Sequence, residues 1–261
     1  MSTSRSISGH RALICGASAG IGKATAIALS EQGAECILLA RRADRLQQVQ
    51  QEIESLGGRA SIIIADLDKR KDMLASVREK LSFGPITILV NNTGGPKGGP
   101  ILHAPTDEFT AAFSRHVLSA HSLLQLVLPG MKEKGYGRII NILSTSVYEP
   151  IPNLGVSNTI RGAMASWSKS VSKELPPGIT INNVLPGFTD TERLSSLKSN
   201  KAQKMGTSPQ EVHAAWMAQV PEKRLAQPEE TAAAIAFLVS PAASYIRGLS
   251  LPVDGGRLRS I

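Results

Sequence analysis

The chain has 261 residues, of which 42% are hydrophobic and 4% aromatic, and its formal net charge is +8. This length suits one α/β domain with a sizeable core. So few aromatic rings argue against a surface that stacks single-stranded nucleic acid. The basic residues are spread along the chain, so we expect no nucleic-acid partner. The first ten residues are polar and no later apolar run could span a bilayer, so we expect no membrane association and a cytoplasmic location.

Apolar runs alternate with amphipathic stretches along the chain. Seven runs are predicted to be strands, at 12–15, 36–40, 60–65, 86–91, 138–143, 179–184 and 249–253. Their unbroken apolar character is typical of a parallel sheet that is covered on both faces. Helices are predicted between them at 21–32, 43–57, 69–82, 107–134, 155–175 and 228–239. The alternation predicts a Rossmann-type, doubly wound α/β fold with about seven parallel strands, formed by residues 1–261 as a single domain.

The segment at about 188–220 breaks this alternation. It is polar, rich in Ser and Lys, and interrupted by Pro209, with one short helix predicted near 209–219. A long insertion after the carboxyl end of a strand usually overhangs the ligand crevice of such a sheet. We therefore expect a substrate lid, with a surface loop of no particular role as the alternative. Three lysines in it either indicate an anionic group on the substrate or are simply solvated: Lys198, Lys201 and Lys204.

A glycine-rich turn joins the first strand to the first helix. Its pattern is Gly16-x-x-x-Gly20-x-Gly22, with Ser18, Ala19 and Ile21 between the glycines. Such glycines allow a tight turn and a close approach of the backbone to a dinucleotide pyrophosphate at the helix N-terminus. At the tip of the second strand stand Arg41 and Arg42, with no acid to bind a free ribose 2′-hydroxyl. Arginine accommodates a 2′-phosphate there, so the sequence predicts NADP(H) rather than NAD(H).

Together with four further motifs, this turn resembles the short-chain dehydrogenase/reductase family over essentially the whole chain. The motifs are Asp66-Leu67, Asn91-Asn92-Thr93-Gly94, Pro186-Gly187-Phe188-Thr189, and the C-terminal pair Pro228-Glu229-Glu230 and Val253-Asp254-Gly255-Gly256. The resemblance implies a small-molecule substrate and a homotetramer or homodimer formed through the helices at 107–134 and 155–175. It also implies cofactor contacts from Asp66, Leu67, Asn91, Thr93, Gly94, Arg161, Pro186, Gly187, Thr189 and Thr191.

The catalytic positions implied by the resemblance are occupied by unusual residues. In the family a Tyr transfers the proton beside a Lys four residues later, a Ser polarises the substrate oxygen, and an Asn holds a water. Ser144 matches the family's Ser, whereas Ser157 and Arg161 stand at the Tyr and Lys positions and His116 at the Asn position. A serine is a far weaker acid than a phenol, and arginine keeps the positive charge without readily giving up a proton.

Three replacements for the missing proton donor are open. Tyr148 either turns its hydroxyl toward the substrate or packs on the lid as an ordinary loop aromatic. His116 is either a proton-transfer group, since histidine titrates near pH 7, or a satisfied core histidine. Ser144, Ser146 and Ser157 either form a hydroxyl cluster that binds an oxyanion with Arg161, or cap the ends of strand and helix.

The sequence therefore predicts an NADP(H)-dependent oxidoreductase that acts on a carbonyl/alcohol pair with an atypical catalytic set. That set is Ser144, Ser157, Arg161, His116 and Tyr148. The alternative is a catalytically silent protein of the same fold that binds or senses NADP(H). The other histidines show no metal-ligand spacing, so no metal is expected.

Overall fold

Seven parallel strands form the centre of the computed structural model, which describes residues 6–259. Within that range the strands are β1 (Arg11–Cys15), β2 (Glu35–Ala40), β3 (Arg59–Ile64), β4 (Ile88–Asn91), β5 (Gly137–Ile142), β6 (Ile179–Pro186) and β7 (Ser250–Val253). Their spatial order is β3-β2-β1-β4-β5-β6-β7. The order reverses between β1 and β4, which is where ligands bind in open α/β sheets. The predicted doubly wound sheet of about seven parallel strands is confirmed.

Helices cover both faces of the sheet. They are α1 (Gly20–Glu31), α2 (Ala43–Ser55), α3 (Arg70–Leu81), α4 (Thr106–Phe113), α5 (Ser119–Lys134), α6 (Gly155–Glu174), α7 (Glu192–Met205), α8 (Pro209–Met217) and α9 (Pro228–Val239). Alternate residues of a strand point to opposite faces. Ile14 therefore belongs to one hydrophobic core with Leu29 of α1 and Ile235 of α9, whereas Leu13 belongs to another with Leu123 of α5. Burial on both faces explains why the strands are continuously apolar.

The long helix predicted at 107–134 contains a π-helical turn. Ser114–Leu118 forms this turn between α4 and α5. A π-helical turn inserts one extra residue into a helix and often marks a functional site. Ser119, which follows the turn, donates from its hydroxyl to the carbonyls of Leu67 and Ser114. The turn is thereby fixed against the end of β3, and it carries His116.

The insertion after β6 folds into two helices, α7 and α8. The sequence predicted only the second, because α7 is polar and has no continuous apolar face. Thr191 caps α7 by accepting the backbone N–H of Leu194 at 3.2 Å. A few apolar residues of the two helices form a small core of their own, around Trp216 stacked on Phe188. We call α7 and α8 the lid helices below.

No helix within residues 6–259 is long and apolar enough to cross a membrane.

Candidate active site

A crevice of about 630 Å³ opens at the carboxyl ends of the strands. This volume is in the usual range for small-molecule and cofactor sites. The crevice brings together most of the sequence-predicted residues: Gly16, Ser18, Ala19, Gly20, Ile21, Arg41, Arg42, Asp66, Leu67, Thr93, Gly94, Ser144, Ser157, Arg161, Pro186, Gly187, Thr189 and Thr191. Four others do not line it, namely Gly22, Asn91, His116 and Tyr148. The first turn of α7 also lines it, so the insertion stands beside the ligand space.

The three glycine positions of the turn after β1 leave no room for a side chain. Gly16 and Gly20 have φ angles of +65° and +52°, a region that favours glycine. A Cβ on Gly16 would lie 2.7 Å from the side-chain nitrogen of Asn92. A Cβ on Gly22 would lie 2.2 Å from the carbonyl oxygen of Gly16, so Gly22 allows α1 to pack on the turn. The positive N-terminal end of α1 thus reaches the crevice, and this cradle fits a pyrophosphate.

The tip of β2 presents two arginines to the crevice. Arg42 donates from Nη2 to the hydroxyl of Ser18 at 3.2 Å and pairs through Nη1 with Glu192 at 3.3 Å. Arg41 lies 3.7 Å from a carboxylate oxygen of Asp66. Two guanidinium groups and a hydroxyl are donors suited to a 2′-phosphate. Glu192 lies 150 residues beyond Arg42 in the chain, so no local pattern could have indicated this pair.

Arg161 lies at the floor of the crevice, with only 8% of its surface exposed. Its Nη1 donates to the carbonyl of Ile142 at 2.8 Å and its Nη2 to that of Thr93 at 3.3 Å. Burial, with the nearby charge of Arg193, lowers the pKa of Arg161 to about 10. The group therefore remains a cation at neutral pH. Ser157 lies one helical turn earlier on α6 and also lines the crevice.

Arg193, in the first turn of α7, is a crevice residue that the sequence did not indicate. Its Nη2 donates to the carbonyls of Gly95 and Pro96, at 3.4 and 2.9 Å. The nearest sequence signal was the trio of lysines later in α7. Of these, Lys204 donates to the carbonyl of Gly98 at 3.5 Å.

His116 is buried behind the crevice, beside a cavity of about 20 Å³ that Arg161 also lines. Its ring is hydrogen-bonded to the backbone of Gly94, while Nε2 has no partner among residues 6–259. Burial, followed by the charges of Arg161 and Arg115, lowers the pKa of His116 to about 3. Of the two alternatives for His116, a proton-transfer group that titrates near pH 7 is therefore disfavoured, because the surroundings favour the neutral ring of a buried histidine. A cavity of this size accommodates a water molecule.

Asn91 also lies away from the crevice. It donates from Nδ2 to the side chain of Asn141 at 2.8 Å and lines the small cavity beside His116. Its contacts link β4 to β5 and so fix the loop that follows β4.

Neither Tyr148 nor Ser146 is brought to the crevice. The hydroxyl of Tyr148 donates to the carbonyl of Ser250 at 3.1 Å, so its ring is directed toward β7 rather than toward a substrate. Ser146 is buried, and its backbone N–H donates to the hydroxyl of Ser144 at 3.1 Å. Ser144 therefore caps a short 3₁₀ helix and also lines the crevice, whereas Ser146 does not. Of the three serines, Ser144 and Ser157 line the crevice, and Ser144 also acts as a helix cap, as the alternative interpretation predicts.

Comparison with known proteins identifies the family. Residues 16–257 match the sequence model of a family described as enoyl-(acyl carrier protein) reductase. The chain is 32% identical over 259 residues to the NADPH-dependent reductase BacG of Bacillus subtilis, a match that covers 98% of this chain and all of BacG. The chain belongs to the short-chain dehydrogenase/reductase family. It is also 34% identical to the 3-oxoacyl-[acyl-carrier-protein] reductase FabG of Vibrio cholerae, covering 96% of this chain and 98% of that protein.

Solved structures agree with this assignment. L-sorbose reductase from Gluconobacter frateurii, complexed with NADPH and L-sorbose, superposes with a TM-score of 0.92 at 30% identity, covering all of both chains. The predicted family and the predicted oxidoreductase class are thus confirmed. The substrates named for these short-chain dehydrogenases/reductases range from a sugar to an acyl carrier, so family membership alone does not select a substrate here.

Proposed function

We propose that this chain reduces a carbonyl group, or oxidises the corresponding alcohol, with a catalytic set centred on Arg161 instead of a Tyr–Lys pair. The observation that carries the proposal is the buried guanidinium of Arg161, held at the crevice floor by the carbonyls of Ile142 and Thr93 and adjoined by Ser157. The use of NADP(H) is confirmed by its relatives, an NADPH-dependent reductase and a reductase solved with NADPH.

The crevice offers a separate group of residues to each part of NADP(H). The turn at Gly16–Gly20 and the N-terminus of α1 receive the pyrophosphate, and Arg41, Arg42 and Ser18 receive the 2′-phosphate. Pro186, Gly187 and Thr189, together with Thr191, also line the crevice and would hold the nicotinamide. The bound nicotinamide supplies or accepts the hydride.

Ser144 and Arg161 stabilise the substrate oxygen. The hydroxyl of Ser144 accepts the N–H of Ser146, which leaves its own hydrogen available to the substrate. As negative charge develops on the oxygen during reduction, the cation of Arg161 stabilises it, and burial strengthens this effect because less water screens the charge. Fixed donors of this type typically contribute about 10²–10³ in kcat.

Ser157 passes a proton from water in the crevice to the oxygen. The proton moves from water to the Ser157 hydroxyl as that hydroxyl gives its own proton to the alkoxide, so the hydroxyl is restored and hydroxide is released to solvent. His116 is a positioning residue, because its ring bonds to the Gly94 backbone and so fixes the loop that carries Thr93.

Substitution of Arg161 tests the proposal. Turnover is followed as the loss of NADPH absorbance with a panel of aldehydes, ketones and quinones. We expect Arg161→Gln to lower kcat by about 10²–10³. The matched control is Arg138→Gln, since Arg138 is also buried and donates to a backbone carbonyl, that of Gly178 at 2.9 Å. Both variants lose stability, but only the first loses turnover. Equal kcat values for the two variants would contradict the proposal.

One observation favours the alternative of a catalytically silent NADP(H)-binding protein. The three tyrosines of the chain, Tyr136, Tyr148 and Tyr245, all lie in the described range, and none lines the crevice. NADPH binding without oxidation by any member of the panel would support this alternative.

The homotetramer or homodimer and the cytoplasmic location remain predictions. Apolar residues of the helices in question, such as Leu123 and Met164, are buried in the core of a single chain and so are not available to a partner. Phe113 and Leu118, 40% and 38% exposed, lie on the same helical run as α5. Light scattering measures the molar mass in solution of the wild type and of the double variant Phe113→Ser with Leu118→Ser. A lower mass for the variant would indicate that this face joins two copies.

A further inference from the structure

We propose that the substrate carries a carboxylate, which binds between Arg161 and Arg193 beside Ser157 and Gly95. These four residues are called the arginine subsite below. The inference rests on the proposed function, since Arg161 also faces the reacting oxygen. Because Arg161 faces both groups, the carbonyl of the substrate must lie close to its carboxylate. The proposed substrates are therefore oxo acids of this kind, or the matching hydroxy acids.

The first observation is the pairing of the crevice arginines. Five arginines line the crevice: Arg41, Arg42, Arg115, Arg161 and Arg193. Three of them have carboxylate partners, at 3.7, 3.3 and 2.6 Å: Arg41 with Asp66, Arg42 with Glu192, and Arg115 with Asp68. Within residues 6–259, Arg161 and Arg193 have none. The two arginines without a carboxylate partner are the two that lie beside Gly95 with Ser157.

The second observation is that these cations converge on one point. A Cβ placed on Gly95 would lie 3.7 Å from Oγ of Ser157, 3.8 Å from Nη2 of Arg161 and 3.9 Å from Nη2 of Arg193. Because Oγ of Ser157 and the guanidinium groups of Arg161 and Arg193 lie around the same position next to Gly95, an anion placed close by is surrounded by two cations and a hydroxyl. A carboxylate with its two oxygens suits two guanidinium groups and a hydroxyl.

Electrostatics favours an anion at this point. Arg161 is buried, and its charge and that of Arg193 repel each other, which contributes to the lowered pKa of Arg161. A buried charge is costly unless it is paired. A substrate carboxylate supplies the missing negative charge, and it binds in a partly desolvated place where charge-assisted hydrogen bonds are strong.

The known contacts of Arg193 leave it free for this role. Both of its hydrogen bonds come from Nη2, to the carbonyls of Gly95 and Pro96. A guanidinium has five N–H donors, so Nη1 and Nε remain for a ligand. Since Arg193 belongs to α7, the lid helices carry one side of the subsite, which makes them a determinant of substrate choice.

Binding of matched acids and esters tests the subsite. The protein is saturated with NADP⁺ and titrated in a calorimeter with 2-oxobutanoate, 3-oxobutanoate and phenylpyruvate, and with their methyl esters. We expect at least one acid to bind about tenfold or more tightly than its ester. Arg193→Gln removes one cation, and Gly95→Ala places a methyl group in the subsite at ordinary contact distances. Each should abolish the preference for the acid and leave NADPH affinity unchanged.

Gly99→Ala is the matched control, because it adds the same methyl group in the same loop with no atom within 4 Å. It should keep the preference. Equal affinities for acid and ester, no binding of any acid at millimolar concentration, or a preference that survives Arg193→Gln would overturn the subsite. A fall in NADPH affinity in Arg193→Gln would also overturn it, by assigning Arg193 to the cofactor. Failure of the wild type to bind NADPH would instead refute the proposed function.

Discussion

Lowering the pH tests whether burial keeps the ring of His116, in the π-helical turn, neutral. The pKa of this residue falls from 6.5 to about 3 on folding, mainly because the ring is buried. Below pH 6.5 the unfolded chain therefore takes up a proton that the folded protein does not. Each proton that only the unfolded chain binds lowers the free energy of unfolding by roughly 1.4 kcal/mol for every pH unit of acidification. Integrated from pH 8 to pH 5, the loss of unfolding free energy from this residue is about 2 kcal/mol.

Urea unfolding at pH 8 and pH 5 measures this loss. The wild type is compared with His116→Asn, which cannot take up the proton, and we expect the variant to lose about 2 kcal/mol less between the two pH values. The pKa of His10 is also lowered by burial, so His10 adds the same background to both proteins. His103→Asn removes an exposed histidine and controls for the loss of one histidine from the chain.

Equal losses of unfolding free energy between pH 8 and pH 5 in the wild type and in His116→Asn would refute the reasoning. That result would mean that the ring is solvated, or that it accepts a proton in the folded state. A limb near pH 6.5 in the kcat/KM profile that disappears in His116→Asn would contradict it independently, because a neutral His116 cannot act as an acid at that pH.

Three further predictions concern the ends of the crevice. Arg41→Ala with Arg42→Ala should lower NADPH affinity tenfold or more and barely change NADH affinity; equal losses in calorimetric titration would exclude a 2′-phosphate site. Glu192→Gln should raise NADPH affinity by several-fold, with no change for NADH, because Arg42 then no longer shares its charge with a carboxylate. Ser157→Tyr with Arg161→Lys should lower turnover of the native substrate, since it replaces a working set. An unchanged rate in a folded protein would place the reaction elsewhere.

The sequence predicted the fold well because the sheet is buried on both faces. Each strand then has to be apolar along its whole length, and such runs stand out between amphipathic helices. Helix α7 was missed for the complementary reason. It exposes most of its surface, and its few apolar side chains pack into the small core of the lid helices around Trp216. A polar helix of this kind leaves little periodicity to detect.

The site was predictable where chemistry depends on local spacing. The glycines after β1 serve one turn, and the φ angles of Gly16 and Gly20 explain why no other residue type suits it. Arg193 and Glu192 belong to the site only because the first turn of α7 lines the crevice, which no spacing in the sequence indicates. His116 was identified by position, but its protonation depends on burial and on the charge of Arg161, which are properties of the folded protein.

The two ends of the crevice differ in how their arginines are paired, and they therefore suit ligand groups of different charge. At the β2 end, Arg41 and Arg42 are already paired with Asp66 and Glu192, so a ligand must be highly charged to replace those carboxylates, as a 2′-phosphate is. At the other end, the arginine subsite has no carboxylate partner among residues 6–259, so a singly charged group is enough. Glu192 and Arg193 are consecutive on α7, so one helical turn contacts both ends. A ligand that displaces Glu192 from Arg42 therefore acts on the same helical turn that positions Arg193. The affinities for the cofactor and for the oxo acid should for this reason be measured together in variants of Glu192 and of Arg193.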